Sequence, residues 1–140
     1  MAAVYTAVAT ATGEGRNGHT RTDDGLIDLD LKVPTEMGGP GGGANPEQLF
    51  AAGYAACFHG ALKLVAGQQK VRFTDSAVTA EVGIGPNGTG GFGLEVTLHV
   101  ELGGIDQVEG EKLVEAAHQV CPYSNATRGN IPVTLEVVTA

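Results

Sequence analysis

Two cysteines and four histidines are the side chains of this sequence that could carry redox or metal chemistry. Cys57 lies inside AACFHG, and Cys121 lies in VCPYSNATRGN, directly before Pro122. A lone helical cysteine is most simply a small apolar filler of a core. A second cysteine in an equally defined context raises two functional alternatives, a metal site and a reactive thiol pair.

The metal alternative draws on Cys57-x-His59 and His118-x-x-Cys121, two sulfurs and two imidazoles, a set that would suit zinc. Helix geometry weakens it. Residues two apart on a helix point roughly 200° apart, so Cys57 and His59 cannot both face one ion. His118 and Cys121 could share a face. His59 and His118 read as helix histidines, and His19 and His99 as solvent-facing strand residues.

The thiol-pair alternative requires a thiolate, and burial in an apolar helix raises a thiol's pKa. The helix dipole gives Cys57 no help, because it acts within the first turn and Cys57 lies about three turns in. A cation must therefore lie near. Lys63 is on another face, and Lys32, Arg21, Lys70, Arg72 and Lys112 are placed elsewhere by the pattern. Arg16, in the first Gly-rich turn, and Arg128, shortly after Cys121, remain, and spacing does not choose between them. A buried arginine needs an anion. Glu47 is the only carboxylate inside the central helical segment, although it also suits a helix's first turn without further purpose.

These side chains depend on a helix over Asn45–Ala66. Asn45 is a capping residue, Pro46 suits the first helical position, and Gln48 stands where a capping-box partner stands. The apolar residues that follow cover nearly the whole circumference, which predicts a central helix buried on all sides and ending near Gly67. Glu47, Gln48, His59 and Lys63 interrupt it too often for a membrane span.

Period-two alternation predicts strands at Ala3–Thr12, His19–Thr22, Leu26–Val33, Ser76–Gly85, Phe92–Leu102 and Pro132–Thr139. Asp23-Asp24-Gly25 signals a hairpin turn. Asp106, with Glu109 three residues on, predicts a second helix running to about Val120, and Pro122 sets Cys121 at its end. Pro34–Ala44 reads as a Gly-rich loop. Gly13–Gly18 matches G-x-G-x-x-G, but strand patterns flank it where a dinucleotide site needs a helix next, so it reads as a turn. The order β-β-β-α-β-β-α-β makes an α+β fold, with antiparallel sheets wrapped around a buried central helix in a single domain over residues 1–140.

The net charge of −8 and the scattering of eight basic residues argue against a nucleic-acid partner. The first residues carry neither a basic segment nor a continuous apolar run, so no secretory signal is read there. The expectation is a soluble, cytoplasmic protein without a membrane partner.

NPEQLFAAGYAACFHGAL followed by VCPYSNATRGNIPVTLEV resembles the organic hydroperoxide resistance (Ohr) branch of the OsmC/Ohr family, over essentially the whole chain. The resemblance implies a thiol-dependent peroxidase active in oxidative-stress defence. It implies an intertwined homodimer with its active site at the subunit interface. By motif, Cys57 matches the peroxidatic cysteine, Cys121 the resolving cysteine, Arg16 the activating arginine and Glu47 its carboxylate partner. The implied cycle runs through a Cys57 sulfenic acid and a Cys57–Cys121 disulfide, recycled by a lipoyl dithiol carried on a lipoylated protein, with no metal, haem or flavin cofactor. His59, where many relatives have an apolar residue, is a departure on a face away from Cys57.

Phe50, Tyr54, Phe58 and Met37 could line a substrate pocket favouring alkyl or fatty-acid hydroperoxides, and each is equally explained as packing. Glu47 and Cys57 are ten residues apart, about 15 Å along a helix and roughly 80° around it. One guanidinium would not span both, which predicts either that Arg16 meets Glu47 from the other subunit or that the helix breaks between them. Two further functions remain compatible with the sequence: a redox sensor using the same cysteines, and an apolar-ligand-binding protein in which Cys57 merely lines a cavity.

Overall fold

A computed structural model describes all 140 residues, as two compact units, Met1–Leu49 and Phe50–Ala140. The fold is α+β. The first unit carries β1 (Ala9–Thr12), β2 (His19–Thr22) and β3 (Asp28–Asp30). Helix α1 (Pro46–Gln69) starts in it and continues into the second unit. There follow β4 (Ser76–Pro86), β5 (Phe92–Leu102), α2 (Gln107–Val120), α3 (Pro122–Thr127) and β6 (Val133–Thr139).

In the first unit β1, β2 and β3 form an antiparallel sheet in that order, with Thr12 opposite His19 and His19 opposite Asp30. The G-x-G-x-x-G stretch is the β1–β2 connection, a single 3₁₀ turn at Gly15–Asn17, and no helix follows it. The turn after β2 is closed by Asp24, whose carboxylate accepts from Thr22 Oγ1 at 2.7 Å and from the Leu26 amide at 3.0 Å. Gly25 takes φ of +75°, which a side chain would resist. Strands β1 and β3 are shorter than the Ala3–Thr12 and Leu26–Val33 runs predicted. All of β1 is exposed, as are Val4, Tyr5 and Leu26; on the β3 face Leu31 is buried, but just beyond the ladder, in a single bridge to Ala44. The Pro34–Ala44 loop holds a 3₁₀ turn at Thr35–Met37 and is pinned at its base, where Lys32 donates to the Ala44 carbonyl and Ala44 to the Asp30 carbonyl.

Asn45 and Gln48 make the reciprocal cap that their spacing predicts. The Gln48 amide donates to Asn45 Oδ1 at 2.8 Å, and the Asn45 amide donates to Gln48 Oε1 at 3.2 Å. Asn45 itself is buried.

In the second unit β4 and β5 form a long antiparallel ladder from Ser76–Leu102 to Pro86–Phe92. Strand β6 pairs with β5 in parallel, from Val96–Val133 to Leu102–Thr139. This corrects the all-antiparallel expectation. The chain leaves β5, crosses over through α2 and α3, and returns in the same direction, as a helical connection of this length permits. The second correction is α3 itself. Pro122, read as ending α2, also supplies the first residue of a new helix.

The core joins Val96, Leu98, Val100 and Leu102 of β5 to Tyr54, Phe58, Leu62 and Val65 of α1 and to Leu113, Val114 and Ala117 of α2. Full burial of a side chain such as Leu62 or Phe58 stabilises by about 2–3 kcal/mol before ordering costs. By length and apolarity α1 could cross a membrane, but its buried residues are those of this core. It is not enclosed on all sides. Ala52, Ala56, Gly60 and Leu64 lie exposed at four-residue intervals, and a Cβ at Gly60 would meet nothing within 4 Å. The all-round apolarity of the sequence therefore exceeds what one chain buries.

Candidate functional site

Cys57 and Cys121 come together. Their sulfurs are 3.5 Å apart, with both residues as free thiols, the Cys121 thiol fully buried and Cys57 half-buried. Sequence places them 64 residues apart, on different elements. Cys57 occupies the middle of α1. Cys121 is the hinge residue between α2 and α3: its amide completes α2 by donating to the Ala117 carbonyl at 2.9 Å, and its carbonyl accepts from Asn125 to begin α3.

Burial pushes the Cys57 thiol above its ordinary value. A hydrogen bond from the Tyr123 backbone N–H opposes this, and the adjoining Cys121 adds to the rise. The Tyr123 amide is thus placed to favour a thiolate that the apolar surroundings disfavour.

Tyr123 lies across α1 where Gly53 leaves room. A Cβ at Gly53 would come within 2.9 Å of the Tyr123 hydroxyl and 3.2 Å of its ring. Phe50, Tyr54 and Tyr123 form an aromatic cluster with ring centroids 5.6–6.1 Å apart. Beneath it runs a buried chain of hydrogen bonds. The Tyr54 hydroxyl lies 2.8 Å from Ser124 Oγ and 3.0 Å from Thr127 Oγ1, and Ser124 Oγ lies 2.8 Å from His118 Nδ1. Burial holds the His118 imidazole below its usual pKa; Arg128 adds to this, and Glu115 opposes it.

Arg16 and Glu47 pair within the first unit through a double hydrogen bond. Glu47 sits in the first turn of α1, and Arg16 on the 3₁₀ turn between β1 and β2. The Arg16 hydrogen bond holds the Glu47 carboxyl below its usual range, and the same bond raises Arg16. The pair forms inside one chain, and α1 runs unbroken from Pro46 to Gln69. The Arg16–Glu47 pair itself therefore needs neither a partner's Glu47 nor a broken helix, the two alternatives expected for a guanidinium that also reaches Cys57. The turn bearing Arg16 reaches the first turn of α1 directly, and the guanidinium spends both its outer nitrogens there.

Arg128 is committed elsewhere. It donates to the His118 carbonyl at 2.9 Å and to Asn125 Oδ1 at 2.6 Å, closing the end of α2. Lys63 stands 5.0 Å over the Phe73 ring. The two histidines weighed beside the cysteines as zinc ligands are engaged otherwise, His59 with Ser76 Oγ at 2.7 Å and His118 with Ser124, and no group of three potential ligands converges in the chain.

Of the four apolar residues suggested for a pocket, Tyr54 and Phe58 are fully enclosed in the core. Phe50 is half-buried against it, and Met37, in the first unit, is exposed. The Tyr54–Ser124–His118 chain escaped the sequence reading. The signal available was Ser124 and Thr127, spaced by three along a helix that opens with proline.

Residues 39–136, which bridge both units, match the family described as OsmC-like protein. The chain is 56% identical over 134 residues to an organic hydroperoxide resistance protein of Xanthomonas axonopodis pv. citri, covering 94% of this chain and 93% of that one. It is 48% identical to organic hydroperoxide resistance protein OhrB of Bacillus subtilis, covering 96% and 98% respectively. Among solved structures, an organic hydroperoxide resistance protein from Elizabethkingia anophelis superposes with a TM-score of 0.96 at 52% identity, covering all of both chains.

Proposed function

Because this chain belongs to the organic hydroperoxide resistance branch of the OsmC-like family, we propose that it is a cysteine peroxidase that detoxifies organic hydroperoxides. The observation that carries the reading is the 3.5 Å approach of the Cys57 and Cys121 sulfurs. A disulfide requires about 2.05 Å, so a displacement of about 1.5 Å joins them.

In the proposed cycle the Cys57 thiolate attacks the outer oxygen of ROOH, the O–O bond breaks, and the alkoxide takes a proton to leave as ROH. Cys57 becomes a sulfenic acid. The Cys121 thiolate attacks that sulfur, expelling hydroxide, which leaves as water once protonated, and the Cys57–Cys121 disulfide forms. A dithiol then reduces it by exchange, ending as its own disulfide. Half-buried Cys57 is the more accessible of the two thiols, which suits it to meet the peroxide first.

The raised thiol requires activation. The Tyr123 amide contributes. One guanidinium does not span Glu47 and Cys57 on an unbroken α1, so Arg16, held by Glu47, is proposed as the cation that completes it from a second copy of the chain. Alkyl or fatty-acid hydroperoxides are the proposed substrates, with Phe50 and Met37 as the apolar residues available to them, and a lipoyl dithiol is the proposed reductant. Homodimerisation is proposed as well: the open Ala52–Ala56–Gly60–Leu64 stripe and the exposed Val4, Tyr5 and Leu26 are supplied with a partner in a second copy. A cytoplasmic site of action suits two free thiols.

The test is a thiol count and disulfide map after one equivalent of cumene hydroperoxide, beside a Cys57→Ser control. Loss of both thiols with a Cys57–Cys121 link is expected. Two unreacted thiols would overturn the peroxidase reading.

A further inference from the structure

We propose that Tyr54 is a positioning residue for disulfide formation: its buried hydroxyl docks helix α3, which starts directly after Cys121, onto the Cys57-bearing helix α1. The inference rests on the proposed peroxidase reading for its purpose, though not for its geometry.

Tyr54 and Cys57 lie three residues apart on α1, adjacent along one face. Ser124 and Thr127 lie three and six residues beyond Cys121, on α3. The Tyr54 hydroxyl reaches both, at 2.8 and 3.0 Å, and all three groups are buried. The two arms are therefore parallel links: one joins the helices through sulfur, the other through oxygen, about one helical turn away.

The second link is needed because α3 is weak by itself. It has six residues, no side-chain cap at Cys121, and too few turns to persist without tertiary contacts. Cys121 is attached to α1 by no covalent bond in the reduced protein, so its distance from Cys57 depends on how firmly α3 is docked. Tyr54 fixes that distance from within the rigid helix that also carries Cys57. Ser124 extends the tie to His118 at the end of α2, so both flanks of Cys121 are held. Intramolecular attack of one sulfur on another is sensitive to displacements of this size.

The test measures proximity directly and does not depend on peroxide chemistry. The reduced protein is equilibrated with oxidised glutathione, one Cys57–Cys121 disulfide forming as one glutathione disulfide yields two thiols. The equilibrium constant is compared for the unaltered chain, Tyr54→Phe, Ser124→Ala, and Tyr5→Phe as an exposed control. The expected result is a fall of about fivefold for Tyr54→Phe, the effect of one lost hydrogen bond on a docking equilibrium. Ser124→Ala falls alike, and Tyr5→Phe is unchanged. Circular dichroism establishes that each variant is folded, and Ser124→Ala decides the matter if Tyr54→Phe is not. An unchanged constant in the folded variants overturns the inference. An unaltered chain that forms the disulfide with glutathione but shows no turnover with hydroperoxide would overturn the peroxidase reading and leave this one standing.

Discussion

Arg16 and Glu47 hold each other in a fork, Nη1 to Oε2 at 2.9 Å and Nη2 to Oε1 at 2.8 Å, with the carboxylate well shielded and the guanidinium partly open to solvent. Two parallel bonds fix the plane of the guanidinium as well as its place, which a lysine cannot reproduce. Arg16→Lys is therefore expected to lower kcat/KM for an organic hydroperoxide about tenfold or more, and Glu47→Gln by a similar factor, in a dithiol-coupled turnover assay. Equal activity in Arg16→Lys would show that charge alone suffices.

The same pair has a pH signature. The Glu47 carboxyl is held below its ordinary value, so its contribution to stability is present above about pH 4.5 and is lost as pH falls through the lower, folded-state value. Exposure of Arg16 keeps this contribution small, about 1 kcal/mol or less. Glu47→Gln should flatten the acid limb of urea-unfolding stability by that amount.

His118 gives a second and separable acid limb. Its imidazole is held below the ordinary 6.5 chiefly by burial, so the unfolded chain takes up a proton that the folded chain refuses. Stability from this source is complete above pH 6.5 and declines as pH falls through the depressed value. His118→Gln is expected to remove this dependence below pH 6.5 in a urea-midpoint series.

Cys57 should report its activation by alkylation. Burial raises the thiol, and the Tyr123 amide offsets only part of the rise. In Arg16→Ala the pH profile of Cys57 reaction with iodoacetamide is expected to move to higher pH than in the unaltered chain, by about one unit. Coincident profiles would remove Arg16 from the activating role.

Gly53 is a steric prediction. A methyl group there meets the Tyr123 hydroxyl at 2.9 Å and its ring edge at 3.2 Å, so the ring must shift. Gly53→Ala is expected to cost about 1–3 kcal/mol in chemical unfolding, despite alanine's better helix propensity. A stabilised variant would mean that Tyr123 moves aside freely.

Sequence pattern was most informative where one chain supplies all the contacts. The Phe92–Leu102 alternation gives β5 to the residue, because its inner face meets α1 and α2 within one unit. The Asn45–Gln48 cap is equally legible, being wholly local. The pattern overstates β1 because its alternation involves small residues that stay exposed, and β3 because its ladder to β2 covers only Asp28–Asp30 while Leu31 turns to a single bridge with Ala44. The direction of β6 was not legible, since parallel and antiparallel partners bear the same period-two pattern. At the site, residue types named both cysteines, but apolar character could not distinguish enclosed Tyr54 and Phe58 from pocket walls. Nor could it show that Arg128 serves the end of α2.

The two cysteines stand 64 positions apart. Joining them closes a loop of nearly half the chain and removes about 4 kcal/mol of freedom from the unfolded state. Each oxidation would then tighten the molecule against unfolding, and each reduction would loosen it again. Oxidised and reduced forms would differ in melting temperature by roughly 10–15 °C and in resistance to proteases. A cell short of reductant would accumulate the more durable form, so an enzyme waiting to be recycled would outlast one that is ready to react.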